Sequence, residues 1–192
     1  MWRSLCAAPR YALMLAADAL VDVTGQTVTV FFSQLAYVRC GLSGAQLGAA
    51  YLGMTLVGLM QGASYKATRA LGRRGFGLAV CALMAAACGG LCFARGPLWC
   101  VACVGCVQLC WCLWQPFAQT MHNDSVRLGA RSVVLSGYSM AQSLAMSGLN
   151  LGLGRLADAG LPLAFAAAGA FCMLALVLAA LYFRQNKKGC VS

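Results

Sequence analysis

Two aspartates and a glutamine, Asp18, Asp22 and Gln26, follow one another at i, i+4 and i+8. On a helix that spacing stacks all three along one face, and Thr29 and Ser33 extend the stripe. They interrupt an otherwise apolar run, Tyr11–Val38, with Asp22 near its middle and Asp18 about a turn closer to its start. A carboxylate in apolar surroundings is hydrated, protonated or paired with a cation. None of the long apolar runs of the chain contains a Lys, Arg or His that could pair with these two. The pattern therefore suits proton coupling or binding of a cationic substrate. The plainer alternative is a hydrogen bond from Asp18 to a helix end. Asp22 is harder to explain that way, because an ionised Asp at a helix centre costs roughly 2.5–3.5 kcal/mol on insertion scales.

A second stripe, Gln108, Trp111 and Gln115 at i, i+3 and i+7, could supply the opposite wall of a polar cavity. Its aromatic face would suit an amphipathic or cationic ligand. The competing reading has the tryptophans fill space between helices or form an interfacial belt near Pro116, and for Trp114 the belt is favoured. His122, with Asn123 and Asp124, stands beside Arg127 and Arg131. A loop network fits it better than a proton relay, since nothing in the sequence buries it.

Twelve cysteines invite a metal or redox reading. Cys100, Cys103, Cys106 and Cys110 reproduce the spacing of a bacterial iron–sulfur motif, but they lie in an apolar helix whose side chains cannot converge on one cluster. Cys81, Cys88 and Cys92 recur at seven and four residues, as small packing residues would. Thiol chemistry wants paired cysteines at a water-facing loop, and Cys40 alone stands clearly in an outer one. No metal and no cofactor are expected. No nucleotide-binding loop or catalytic triad is present either, so no enzyme activity is expected.

The elements that position these residues follow from composition. Hydrophobic residues make up 61% of the 192 and charged ones 9%, with a mean hydropathy of +0.77. A soluble domain carries about 25% charged residues. Six apolar runs, 11–38, 47–65, 76–94, 98–118, 133–154 and 163–183, are each long enough for a helix crossing a ~30 Å hydrocarbon core. Ser43 with Gln46 forms a capping box before the second run, and Pro97 and Pro162 stand at the starts of the fourth and sixth. The expectation is an all-α integral membrane protein, one domain over residues 1–192 with six transmembrane helices.

Of the 14 Lys and Arg, eleven fall in alternate loops starting from the N-terminus: Arg3, Arg10, Lys66, Arg69, Arg73, Arg74, Arg127, Arg131, Arg184, Lys187 and Lys188. Only Arg39, Arg95 and Arg155 occupy the others. This positive-inside bias places both termini in the cytoplasm. It also accounts for the net charge of +10 without a nucleic-acid partner. A signal peptide over the first residues is disfavoured, because Asp18 and Asp22 break its core and hydrophobicity resumes to Tyr37. A prenylation signal fails because Cys190 is third from the end.

Polarity differs among the runs. The first and fourth are polar, the second and fifth carry small and polar residues, and the third and sixth are almost purely apolar. Two three-helix units follow, the layout of a 3+3 inverted repeat. On this frame several motifs fall into place. Gly41-Leu42-Ser43 followed by Gln46-Leu47-Gly48, then Gly72-Arg73-Arg74, Arg131-Ser132-Val133-Val134-Leu135-Ser136 and Gly154-Arg155-Leu156-Ala157-Asp158 together resemble the C-terminal six-helix half of a major facilitator superfamily transporter. The resemblance runs from about Pro9 to Phe183. One departure is Arg69, where the family has an Asp three residues before its Gly-Arg-Arg; a gating salt bridge built on that Asp is thereby in doubt.

The resemblance implies that helices 1 and 4 line a substrate cavity, that helices 2 and 5 meet a second six-helix half, and that helices 3 and 6 face lipid. Asp18, Asp22, Gln26, Gln108, Trp111 and Gln115 would then form the substrate or proton pathway, and Gly72, Arg73, Arg74 and Arg131 a gating loop. The small-residue spacings Gly44/Gly48, Gly58/Gly62 and Gly148/Gly152 allow close helix approach, either to a partner or within this half. The implied protein is a multi-pass component of the cell membrane carrying a small-molecule substrate, as a fragment of a longer chain or as a piece needing a partner. The alternative from a different class is a non-transporting six-helix protein with a structural or assembly role.

Overall fold

In the computed structural model of the chain, residues 9–125 and 131–188 are described, and all their regular elements are helical. Helix α1 (Pro9–Gln26) passes through a π-helical stretch, Thr27–Phe32, directly into α2 (Ser33–Arg39). Hydroxyls surround this widening. Thr24 donates to the Leu20 carbonyl at 2.8 Å, Thr29 to that of Gly25 at 2.7 Å, and Ser33 to that of Thr29 at 2.7 Å. Such back-bonding satisfies buried hydroxyls inside their own helix while loosening its ladder.

The end of α2 is built by Gly41, whose φ of 80° suits a residue without Cβ. The Leu42 N–H reaches the Tyr37 carbonyl at 3.1 Å and the Gly41 N–H that of Val38 at 3.0 Å, the bond pair of a Schellman motif. Helix α3 (Gly44–Gly58) starts at once. Gln46 Oε1 accepts from the Ser43 N–H at 2.9 Å and Ser43 Oγ from the Gln46 N–H at 3.5 Å, so the capping box is present. A 3-10 turn, Leu59–Ala63, leads into α4 (Ser64–Cys92). Helix α5 (Pro97–Ser125), α6 (Arg131–Ala159) and α7 (Leu161–Lys188) complete the chain.

The apolar interior lies between α1, α4, α5 and α7. Small side chains let α4 and α7 approach closely: the Cβ of Cys88 and the carbonyl of Ala85 lie within 3.6 Å of where a Cβ on Gly169 would stand. Phe76 and Phe117 pack edge to face at 5.1 Å between centroids, as do Phe32 and Phe165 at 6.1 Å. The outer faces of α4 and α7 stay apolar and exposed, with Leu83, Met173 and Val177 about half accessible. Helices α3 and α6 are covered on one side only. A Cβ added to Gly44, Gly48, Gly58, Gly62, Gly148 or Gly152 would meet nothing within 4 Å, so these small residues are not used for packing among the described residues.

Among the described residues, four helices are long and apolar enough to cross a membrane: Ala12–Arg39, Gly44–Cys92, Pro97–Asp124 and Leu161–Gln185. The sequence reading of six runs differs from this in two places. Gly44–Cys92 spans 49 residues, roughly 70 Å if straight against a ~30 Å hydrocarbon core. It is divided at Gly72, whose φ of 73° and ψ of 155° break the helical geometry. The second and third runs lie on either side of that break. Helix α6 is not one of the four because serines, Gln142 and Asn150 dilute its hydropathy.

The Gly72 backbone occupies a region open essentially to glycine alone, where a side chain costs of order 1–3 kcal/mol. Gly72→Ala is expected to lower the thermal midpoint of the detergent-solubilised protein. An unchanged midpoint would mean that the break moves to another residue at no cost.

Candidate functional site

The stripe on α1 faces α5 with the two helices antiparallel in register. Asp22 meets the residues nearer the start of α5, and Asp18 those nearer its end. Asp22 Oδ1 accepts from the indole N–H of Trp111 at 2.7 Å and from the Gln115 amide. Asp18 Oδ1 accepts from the indole N–H of Trp114 at 2.7 Å. Asp18 Oδ2 lies 2.8 Å from His122 Nε2. On α5 these partners recur at intervals of three, four and seven residues, one face of a helix.

Helix α6 closes the group with one side chain. The Gln142 amide donates to Asp18 Oδ2 at 3.2 Å and to Asp22 Oδ2 at 3.3 Å. An amide nitrogen carries two hydrogens, so one residue can serve both carboxylates. All four carboxylate oxygens thus have donors. A turn or two further along, the Thr27 hydroxyl meets Asn150 Oδ1, a second polar tie between the first and the sixth helix.

Two sequence expectations are corrected here, and one alternative is set aside. His122 is not a solvated loop residue but is 7% exposed and sits on Asp18. It lies outside the apolar run, but α5 continues past that run to Ser125, and the extra turn carries the imidazole inward. Trp114 does not belong to an interfacial belt; it is fully buried, tilted against Phe117 at 5.3 Å between ring centroids and bonded to Asp18. Nor does Asp18 cap a helix end, since its partners are side chains of α5 and α6.

The remaining expected residues divide. Trp111 and Gln115 join the cluster, whereas Gln26, half-buried, does not. Gln108 turns along its own helix to Cys112 Sγ at 3.3 Å. It lines, with Trp111, Thr29, Tyr51 and Thr55, a cavity of about 310 Å³. Trp111 is therefore shared, its N–H on Asp22 and its ring at the cavity. Gly72, Arg73 and Arg74 lie away from this cluster, exposed, with Arg73 paired to Asp124 at 2.8 Å. Arg131 begins α6, and its side chain lies outside the described residues.

Three members, Trp114, His122 and Gln142, escaped the sequence reading as partners of the aspartates. The signal for His122 was present: with Trp111, Gln115 and Ala118 it completes i, i+4, i+7 and i+11. For Gln142 there was none beyond its polarity, because which face of α6 turns inward depends on tertiary packing. Among the described residues no group of three His, Cys, Asp or Glu side chains is placed to hold a metal ion. Cys81, Cys88, Cys100, Cys103, Cys110 and Cys172 are buried as free thiols in the apolar interior. In comparisons with family models, curated proteins and solved structures, nothing matches the chain.

Gly25 sets the approach of α1 to this cluster. A Cβ there would overlap Cγ and Cδ1 of Trp111 and lie 2.9 Å from its Cβ. Gly25→Ala is expected to displace the indole from Asp22 and to destabilise the protein by about 1–3 kcal/mol. Gly148→Ala, in open space, should change little. Thermal unfolding with tryptophan fluorescence compares them, and equal effects would remove the close approach as a determinant.

Proposed function

We propose that this chain is a six-helix half of a secondary transporter of the major facilitator type, moving a small molecule together with protons across the cell membrane. Both termini lie on the cytoplasmic side, and a second six-helix half covers α3 and α6. The observation that carries this reading is the network in which Gln142 joins Asp18 to Asp22 and His122 sits on Asp18, beside a cavity that shares Trp111. A carboxylate that takes a proton becomes a donor. It then competes with the indole and amide N–H groups that now surround it. Gln142 bonds both carboxylates, so protonating either one weakens the tie between α6 and α1 or turns its amide over. A helix that shifts with a proton is the element such coupling needs. No bond-making or bond-breaking reaction is assigned to the chain.

Six spans are supported by the break at Gly72 and by the 29-residue length of α6, whose exposed hydroxyls Ser143 and Ser147 donate to carbonyls one turn back. The unused glycine faces on α3 and α6 support the partner half. Accessibility of single cysteines introduced near Arg73 and Lys187 is expected from the cytoplasmic side, and near Arg39, Arg95 and Arg155 from the other. An external Arg73 overturns the orientation.

The full satisfaction of both carboxylates favours a second reading, in which the cluster only locks α1, α5 and α6 together in a protein that transports nothing. The chain reconstituted alone should give no substrate or proton flux in either case. Joined to its second half, the coupled transporter should lose the pH dependence of flux in Asp22→Asn while insertion and folding persist, with Asp18→Asn milder. A lower unfolding midpoint without any change in pH-dependent flux would leave the lock as the surviving reading.

A further inference from the structure

A second cavity, of about 410 Å³, opens where α4 begins and α5 ends. Its wall carries Tyr65, Thr68, Arg69 and Arg73 from α4 and Thr120 from α5, and Phe117 contributes to its floor. The volume lies in the range of small-ligand sites. Its chemistry is lopsided. Arg73 is paired with Asp124, but Arg69 meets no carboxylate among the described residues. The hydroxyls of Tyr65 and Thr68 remain available in the wall, while those of Ser64 and Thr120 are turned onto the carbonyls of Leu113 and Pro116.

The position sharpens the reading. The apolar run of α5 closes at Ala118, so the cavity lies where hydrocarbon gives way to the basic segment with Lys66, Arg69, Arg73 and Arg74. Pro116, Phe117 and Met121 give it an apolar side. A guanidinium offers phosphate oxygens a planar fork of donors, and basic pockets between helices at a membrane surface take phospholipid head groups. We infer that this cavity binds a phosphate group through Arg69, with Arg73 and the two free hydroxyls beside it. An anionic phospholipid at the membrane boundary is one source of that group, a soluble phosphate compound the other. The inference needs the membrane but not transport, and it concerns residues separate from the carboxylate cluster.

The test uses the whole chain purified in detergent, with thermal shift and native mass spectrometry as readouts. The probes are phosphatidylglycerol, phosphatidylcholine and inorganic phosphate. Phosphatidylglycerol is expected to raise the midpoint and to stay bound, with phosphatidylcholine much weaker. Arg69→Gln should weaken that binding about fivefold, the worth of one basic residue at a membrane surface. Lys66→Gln removes the same charge from an exposed position that does not line the cavity, and should change affinity far less. A midpoint shift with inorganic phosphate, equally sensitive to Arg69→Gln, assigns the site to a soluble phosphate compound. If Arg69→Gln and Lys66→Gln act alike, or the two lipids bind alike, surface charge explains the binding and the site is overturned.

Discussion

Asp18 and Asp22 sit in an interior where side chains replace water, and there every carboxylate oxygen must find a donor or carry a desolvation cost. Meeting that demand sets the register of three helices. Trp111, Trp114, Gln115 and His122 must lie on the face of α5 that meets α1, and Gln142 must come in from α6. Sliding α5 by one turn would set each donor against the wrong oxygen or against an alkyl neighbour. Charge-assisted bonds of this kind are shorter and stronger than neutral ones. Removing Trp114, the one donor on Asp18 Oδ1, leaves a buried acceptor unmatched, at about 1–3 kcal/mol. The apolar contacts nearby are far more forgiving of register. It is the polar group that selects one arrangement among many that would bury similar area.

Close approach then follows from small residues where the helices cross. Gly25 admits the Trp111 ring, Gly77 admits Phe117 and Phe183, and Gly169 admits the backbone of α4. Phe117 occupies a position between two regions. It lies tilted against Trp114, which holds Asp18, and also borders the basic cavity at the end of α5.

Helix positions were legible from sequence because they rest on local rules: apolar length, the capping box at Ser43, and proline at Pro97 and Pro162. Asp18 and Asp22 were also legible as a pair, since i and i+4 share a face whatever surrounds them. Their partners were not. His122 lies beyond the apolar run of α5, and a polar residue past the end of such a run looks solvated until a longer helix carries it inward. Trp114 has the composition of an interfacial residue and the position of a buried one; only the placement of α1 distinguishes them. The break at Gly72 was marked by Gly-Arg-Arg, but its backbone angles depend on how α4 leaves α3.

Like α4 and α7, helices α3 and α6 expose large apolar residues, Leu52 and Leu56 on α3 and Met140, Leu144 and Leu151 on α6, but α6 also exposes small ones. On α4 and α7 the accessible residues are large and apolar, Leu83, Met173, Leu174 and Val177, and such a surface is as comfortable against lipid chains as against protein. On α6 they include Ser139, Ser143, Ser147, Gly148 and Gly152. The serine hydroxyls impose no need for a polar partner, because Ser143 and Ser147 already donate to carbonyls one turn back at 2.8 and 2.9 Å. The gaps at Gly148 and Gly152, beside the exposed Leu144 and Leu151, would let side chains of another helix interdigitate in dispersion contact. A covering helix on α6 would therefore be held by shape rather than by unmet hydrogen bonds.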